Sequence, residues 1–72
     1  MSGTLAVSAR SDITVWFVDQ YSSAKVGPFH VAAGLVREIV LPKGLYTVDY
    51  VQNGKHRQTS VSFVSQRGEL KL

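Results

Sequence analysis

The 72-residue chain contains no cysteine, and only 18% of its residues are charged. Without cysteine, neither a disulfide framework nor a thiolate metal site can stabilise the fold. No stretch approaches the roughly 20 apolar residues of a membrane-spanning helix, and residues 1–12 lack the basic and apolar regions of a secretory signal. We therefore expect no membrane partner, and a protein located in the cytoplasm or in a particle assembled there, such as a virion.

The sequence also lacks the residue patterns of common active sites and metal sites. It has no glycine-rich phosphate loop and no G-x-S-x-G nucleophile motif, and its only histidines, His30 and His56, lie in different predicted elements. Its five carboxylates show neither the pairing of a general acid and base nor a spacing suited to zinc. We expect a protein that is not an enzyme and that uses no cofactor or metal.

Small size and a modest positive charge limit the remaining classes. A single domain of this length buries only about 60% of the surface that its unfolded chain exposes. Because disulfides are excluded, oligomerisation is the favoured way to bury further apolar surface. The net charge of +3 comes from eight basic residues that form no run, so it permits attraction to nucleic acid without defining a site.

The clearest structural signal lies in residues 36–64, where Asn53-Gly54 separates two alternating segments. This dipeptide favours a type I′ turn, because both of its residues must adopt a positive φ. Counting outward pairs Gln52 with Lys55 and predicts a hairpin with one core face and one mostly polar face. The predicted core face comprises Tyr46, Val48, Tyr50, Thr59, Val61 and Phe63.

Five other segments are predicted to form strands, namely residues 4–9, 13–19, 29–31, 36–41 and 69–72. Residues 13–19 are apolar on both sides, which indicates a central strand or one covered by a second layer. Residues 20–28 combine Ser-Ser with Gly-Pro and are predicted to form a loop. The whole chain, residues 1–72, is then a single all-β domain, a small antiparallel β-sandwich or barrel of six to seven short strands.

Three functions are consistent with this pattern, of which the third, a small inhibitor of a larger enzyme, shares its sequence features with the first. The first is a non-enzymatic role in protein–protein contact or assembly, as a homo-oligomer or as a structural or decoration protein of phage type, with Trp16 as a candidate interface residue. The second is binding of single-stranded or non-specific nucleic acid through a basic and aromatic hairpin tip. In a competing interpretation, Arg57 only lies over Tyr50 and stabilises the sheet. The candidate contact residues for nucleic acid or a partner are Tyr21, Lys25, Tyr50, Lys55, His56 and Arg57.

Residues 39–64 resemble the second half of PEGA-like and other prealbumin-like or carboxypeptidase-regulatory-like β-sandwich modules. In those modules a Leu-Pro-x-Gly-x-Tyr-x-Val stretch leads into a hairpin and a Val-x-Val strand. The Pro-x-Gly-Ala and Asp-Gly signatures of the family are absent from residues 19–36. The resemblance implies a sandwich with a non-catalytic interaction role. The matching residues are Leu41, Pro42, Gly44, Tyr46, Val48, Gly54, Val61 and Phe63.

A shorter stretch, GLYTV at residues 44–48, is similar to a segment of the small β-barrel single-stranded DNA-binding proteins of filamentous phages. The aromatic and basic DNA-binding loop of those proteins has no match in this chain. We therefore transfer no binding residue from this resemblance.

Overall fold

The computed structural model describes all 72 residues and contains seven β-strands in two sheets. The strands are β1 (Ser2–Ser8), β2 (Ile13–Asp19), β3 (Lys25–Val31), β4 (Val36–Pro42), β5 (Gly44–Gln52), β6 (Lys55–Phe63) and β7 (Arg67–Lys71). One sheet has the order β4-β1-β7 and the other has the order β3-β2-β5-β6. The predicted all-β class is confirmed, and the architecture is a sandwich of two open sheets.

All neighbouring strands are antiparallel except β1 and β7, which run parallel. The parallel pair arises because the chain leaves β6 and crosses to the other sheet before it forms β7. The structure contains no helix of the length and apolarity that a membrane-spanning segment requires.

Strand β2 occupies the centre of the four-stranded sheet, between β3 and β5. Its side chains alternate as the sequence predicts, so that Ile13, Val15 and Phe17 are buried in the core. Trp16 and Val18 project from the opposite face and are half-buried. The prediction of a central strand is confirmed, whereas the Trp16 face lies on the outside of the sandwich.

The hairpin of β5 and β6 has the predicted turn and register. Asn53 and Gly54 have φ values of 52° and 74°, as a type I′ turn requires. Gln52 pairs with Lys55, and the register continues without a shift as far as the pair of Gly44 and Phe63. The side chains that point into the core from the first strand, Tyr46, Val48 and Tyr50, are all buried.

One residue of the predicted core face, Thr59, is exposed. Thr59 and Arg57 are on the core side of β6, but the three-stranded sheet is narrower than the four-stranded sheet and does not extend over them. Further along the strand, Val61 is half-buried and Phe63 is fully buried. The first part of β6 therefore lies beyond the edge of the core.

The predicted loop of residues 20–28 is shorter than expected, because residues 25–28 belong to β3. Gly27-Pro28 lies within this strand, where the peptide bond is cis, and the pairing with β2 shifts register between Val15 and Phe17. Proline is tolerated here because β3 is an edge strand, in which one row of N–H groups has no partner strand. Other boundaries also differ from the prediction: β1 spans Ser2–Ser8 instead of 4–9, β4 ends at Pro42 instead of residue 41, and β7 spans Arg67–Lys71 instead of 69–72.

Thirteen buried apolar residues from both sheets form one core. At its centre, the Phe17 ring packs against Phe29 and against the edge of Tyr46, with centroid separations of 6.0 and 6.1 Å. The Tyr46 hydroxyl donates a hydrogen bond of 2.6 Å to the carbonyl oxygen of Pro42. Burial, together with the nearby charge of Asp19, raises the pKa of Tyr46, so the phenol stays neutral and can donate this bond.

The Phe63 ring joins the end of β6 to the opposite sheet. It lies against Gly3 of β1 and Gly68 of β7, where a side chain would occupy the space that the ring fills. A Cβ atom on Gly3 would stand 2.8 Å from both the Phe63 ring and the carbonyl oxygen of Gln66. Glycine at this position therefore allows β1, Phe63 and the β6–β7 crossing to pack together.

We predict that Gly3→Ala lowers the free energy of unfolding by about 1–3 kcal/mol, because the added methyl group overpacks this junction and the backbone oxygen of Gln66 cannot rotate away. Gly44→Ala is the matched control, since a Cβ atom there would meet no other atom closer than 4.0 Å. Urea denaturation measures both variants. Equal stability of the two variants would contradict the packing assigned to Gly3.

Candidate interaction surfaces

The structure separates the predicted contact residues into two groups at opposite ends of the four-stranded sheet. The Asn53-Gly54 turn lies beside the start of β2, because Ile13 pairs with Gln52. Tyr21 follows the other end of β2, where Asp19 pairs with Tyr46. The six candidate residues therefore do not form one site.

At the hairpin tip, Lys55, His56 and Arg57 are exposed, whereas only 9% of Tyr50 is accessible. Arg57 is opposite Tyr50 on the core side of the sheet, and His56 is opposite Val51 on the outer side. The tip is basic, but its aromatic ring is buried. Stacking of a nucleic-acid base requires an exposed ring face, which Tyr50 does not provide.

A groove of about 400 Å³ beside the tip is lined by Asp49, His56, Arg57 and Gln58. The Gln58 side-chain amide donates a hydrogen bond of 2.7 Å to a carboxylate oxygen of Asp49. This carboxylate places a negative charge in the same groove as Arg57. A phosphate group there would meet repulsion from Asp49 as well as attraction to Arg57.

At the other end of the sheet, the Asp19 carboxylate organises the turn between β2 and β3. Its Oδ1 atom accepts hydrogen bonds from the backbone N–H groups of Tyr21 at 2.8 Å and Ser22 at 3.1 Å. These bonds hold the pKa of Asp19 below its ordinary value, and the bond from Ser22 has the larger effect. The capped turn presents Tyr21 with 84% of its surface exposed.

Lys25 lies on the outer face of the four-stranded sheet, where it covers part of Trp16. The Lys25 ammonium nitrogen is 5.3 Å from the centroid of the Trp16 ring, a distance suited to a cation–π contact. Trp16 is adjacent to Asp49 of β5 in the register of the sheet. Trp16 therefore faces outward, as an interface residue must, but the chain itself shields part of its ring.

Three exposed apolar side chains in and next to β4 were not predicted as a site. Leu35 immediately precedes β4, while Val36 and Val40 lie on the outer side of that strand. Their exposed fractions are 63%, 65% and 70%, respectively. We refer to these three residues as the β4 strip. The sequence of β4 is apolar on both sides, so alternation alone does not indicate which side faces solvent.

Small side chains border the β4 strip. In the register of the three-stranded sheet, Val40 pairs with Thr4 and Val36 pairs with Ser8 of the central strand β1. Between the two valines, the Glu38 carboxylate forms an ion pair with Arg67 of β7. The central strand β1 thus presents short side chains beside the strip, and the charge in the middle of the strip has a partner within the chain.

A second groove, of about 610 Å³, lies at the end of the sandwich where β1 and β7 finish. It is lined by Ser8, Ala9, Arg10, Gly34, Val36, Lys71 and Leu72. Arg10 and Lys71 are both exposed, so the groove does not enclose a charged group. Elsewhere in the fold, no three His, Cys, Asp or Glu side chains lie together in an arrangement that would hold a metal ion.

The Asp19 hydrogen bonds predict a specific pH dependence of stability. A carboxyl group whose pKa is lower in the folded state stabilises the fold above its ordinary pKa of about 4, and this contribution is lost as the pH falls through the folded value. We expect Asp19→Asn to melt at a lower temperature than the unmodified protein at neutral pH. The difference shrinks in strongly acidic solution, as thermal unfolding followed by circular dichroism will show. A difference that stays constant with pH would contradict the role of the charged carboxylate.

Comparison with known proteins found no family model, no curated protein and no solved structure that matches this chain. The resemblance to PEGA-like modules therefore stays a prediction, and the surfaces are interpreted from their own chemistry.

Proposed function

We propose that this chain is a non-enzymatic assembly subunit that acts through protein–protein contact, with further copies of itself as partners. The observation that carries the proposal is the β4 strip, in which three large apolar side chains within residues 35–40, at the edge of the three-stranded sheet, remain about two-thirds exposed. Removing apolar surface from water is favourable by about 25 cal/mol per square ångström, from which the entropic cost of association must be subtracted. Several exposed apolar side chains along one edge strand indicate a contact surface more strongly than a single one does.

The surroundings of the β4 strip suit close contact with another protein. Val36 and Val40 are about 13 Å apart along the strand, with a Glu38 carboxylate between them that Arg67 already neutralises. A partner can therefore cover the strip without leaving an unpaired charge in the interface. Thr4 and Ser8 on the adjacent strand are short and allow the partner backbone to approach.

More specifically, we propose that the chain forms a homo-oligomer or a larger particle, such as one built from phage-type structural or decoration proteins. Two properties support this form, a chain of only 72 residues and a charged fraction of 18%. A small domain gains more from burial between copies than a large one does, because it has less core of its own. Such a particle would be assembled in the cytoplasm.

The nucleic-acid alternative receives less support. Lys55, His56 and Arg57 are all exposed at the hairpin tip, but the Tyr50 side chain on the core side of the sheet is buried. The fully exposed aromatic residue, Tyr21, lies at the opposite end of the sheet. Cations without a stacking ring provide only salt-sensitive attraction.

We predict that Val40→Lys weakens self-association roughly tenfold or more, because a charge then replaces apolar surface in the contact. The measurement is light scattering on the unmodified protein and the variant over a roughly hundredfold range of concentration. Gln20→Lys is the matched control, since it adds the same charge at an exposed position in the β2–β3 turn. We expect the control to assemble like the unmodified protein.

A monomeric protein that binds nucleic acid would contradict the assembly proposal. If the unmodified chain stays monomeric, and if it binds a labelled single-stranded oligonucleotide in a manner that weakens steeply with salt and with Arg57→Ala, the assembly proposal is wrong. Fluorescence anisotropy at two salt concentrations provides that comparison.

A further inference from the structure

We propose that two copies of the chain pair through β6, an edge strand of the four-stranded sheet. The two four-stranded sheets then form one continuous antiparallel sheet of eight strands. The inference rests on the proposed function in taking a second copy as the partner. It adds a second contact surface, distinct from the β4 strip, and a definite register.

Among the four edge strands of the sandwich, β6 has the fewest features that block pairing. Natural edge strands are usually protected by proline, irregular pairing, charge or short length. Proline and a register shift occur in β3, while β4 ends in Pro42. The β7 strand has only five residues, of which Arg67, Glu69 and Lys71 are charged. By contrast, β6 is nine residues long, regular in its pairing, free of proline and uncharged beyond Arg57.

The turn geometry determines which backbone groups of β6 point to the free edge. In a two-residue hairpin, the residues flanking the turn, here Gln52 and Lys55, exchange both backbone hydrogen bonds, and such pairs then alternate along the ladder. The alternate residues of β6 direct their N–H and C=O groups away from β5. These residues are His56, Gln58, Ser60 and Ser62, and none of them takes part in a backbone hydrogen bond outside the strand ladders.

This set of four residues is symmetric about Thr59, so it is complementary to itself in an antiparallel pairing. With the two-fold axis at Thr59, His56 pairs with Ser62 of the partner subunit, and Gln58 pairs with Ser60 of the partner subunit. Each such pair exchanges two hydrogen bonds, so the four pairs supply about eight. If the register were displaced by one residue, N–H and C=O groups that point away from β5 in one subunit would be opposite residues whose N–H and C=O groups point toward β5 in the other. Those hydrogen bonds could not form.

The charges along β6 favour the antiparallel arrangement over a parallel one. All the cations of the strand are at its beginning, at Lys55 and Arg57, next to His56. In the antiparallel pairing, Arg57 is opposite Val61 of the partner subunit, and Lys55 is opposite Phe63 of the partner subunit. A parallel pairing would place the two basic ends side by side, and like charges at that spacing repel.

The same pairing would cover the exposed side chain of Thr59. This residue is on the core side of β6, yet the narrower sheet leaves it uncovered. At the two-fold axis, Thr59 contacts Thr59 of the partner subunit as a directly opposed pair, which is a favourable combination for threonine. The overhang of β6 therefore provides a surface that a second copy can cover.

The test introduces a charge of either sign at the two-fold axis. Thr59→Lys and Thr59→Glu each place two like charges face to face, and we expect each to weaken the dimer roughly tenfold or more. An equal mixture of the two variants places Lys opposite Glu and restores the dimer. All samples carry Val40→Lys, so that the contribution of the β4 strip is reduced, and sedimentation velocity measures their mass.

Two controls separate an interface effect from a general effect of charge. Gln20→Lys and Gln20→Glu, in the same Val40→Lys background, are expected to remain dimeric both alone and mixed. Circular dichroism checks that each Thr59 variant is folded, as expected for substitution of an exposed residue.

Three results would overturn the β6 pairing: a monomeric Val40→Lys protein, dimers that persist in both Thr59 variants, or a mixture that stays monomeric. If the Val40→Lys protein is monomeric while the unmodified chain still assembles, the β6 inference fails and the proposed function stands. If the unmodified chain is itself monomeric, both fail.

Discussion

The contact of Phe63 with the backbone of β1 and β7 determines how the two sheets meet. Phe63 is the last residue of β6, and the chain crosses to the other sheet directly after it. Gly3 and Gly68 leave the space that its ring occupies. Because the end of β6 is held there, the earlier part of the strand extends past the narrower sheet. The exposed positions of Thr59 and Arg57 follow from this junction together with the smaller width of the three-stranded sheet.

Local chemistry was sufficient to predict the hairpin and the central strand. The φ requirement of Asn53-Gly54 fixes the register of β5 and β6, and the period of two then assigns the buried side chains on β5. In the same way, the two apolar faces of β2 predict its place inside a sheet. The residues that line the hairpin tip, Lys55 to Arg57, were also identified, because they are adjacent in the chain.

Features that depend on the relation between the sheets were not predictable. Alternation places Thr59 on the core side, but the width of the opposite sheet decides whether anything covers it. Gly27-Pro28 reads as a turn locally, yet it fits an edge strand where the missing N–H has no consequence. For the same reason, the β4 strip was missed and Tyr21 was grouped with a hairpin tip that lies at the opposite end of the sheet.

The parallel pairing of β1 with β7 has a mechanical consequence. Five residue pairs connect the two strands, from Thr4 with Arg67 to Ser8 with Lys71. If the chain is pulled between Ser2 and Lys71, the hydrogen bonds between these strands are loaded in shear and must yield together, whereas a hairpin pulled at its open end unzips one pair at a time. This geometry favours resistance of the small sandwich to stretching along the strand direction.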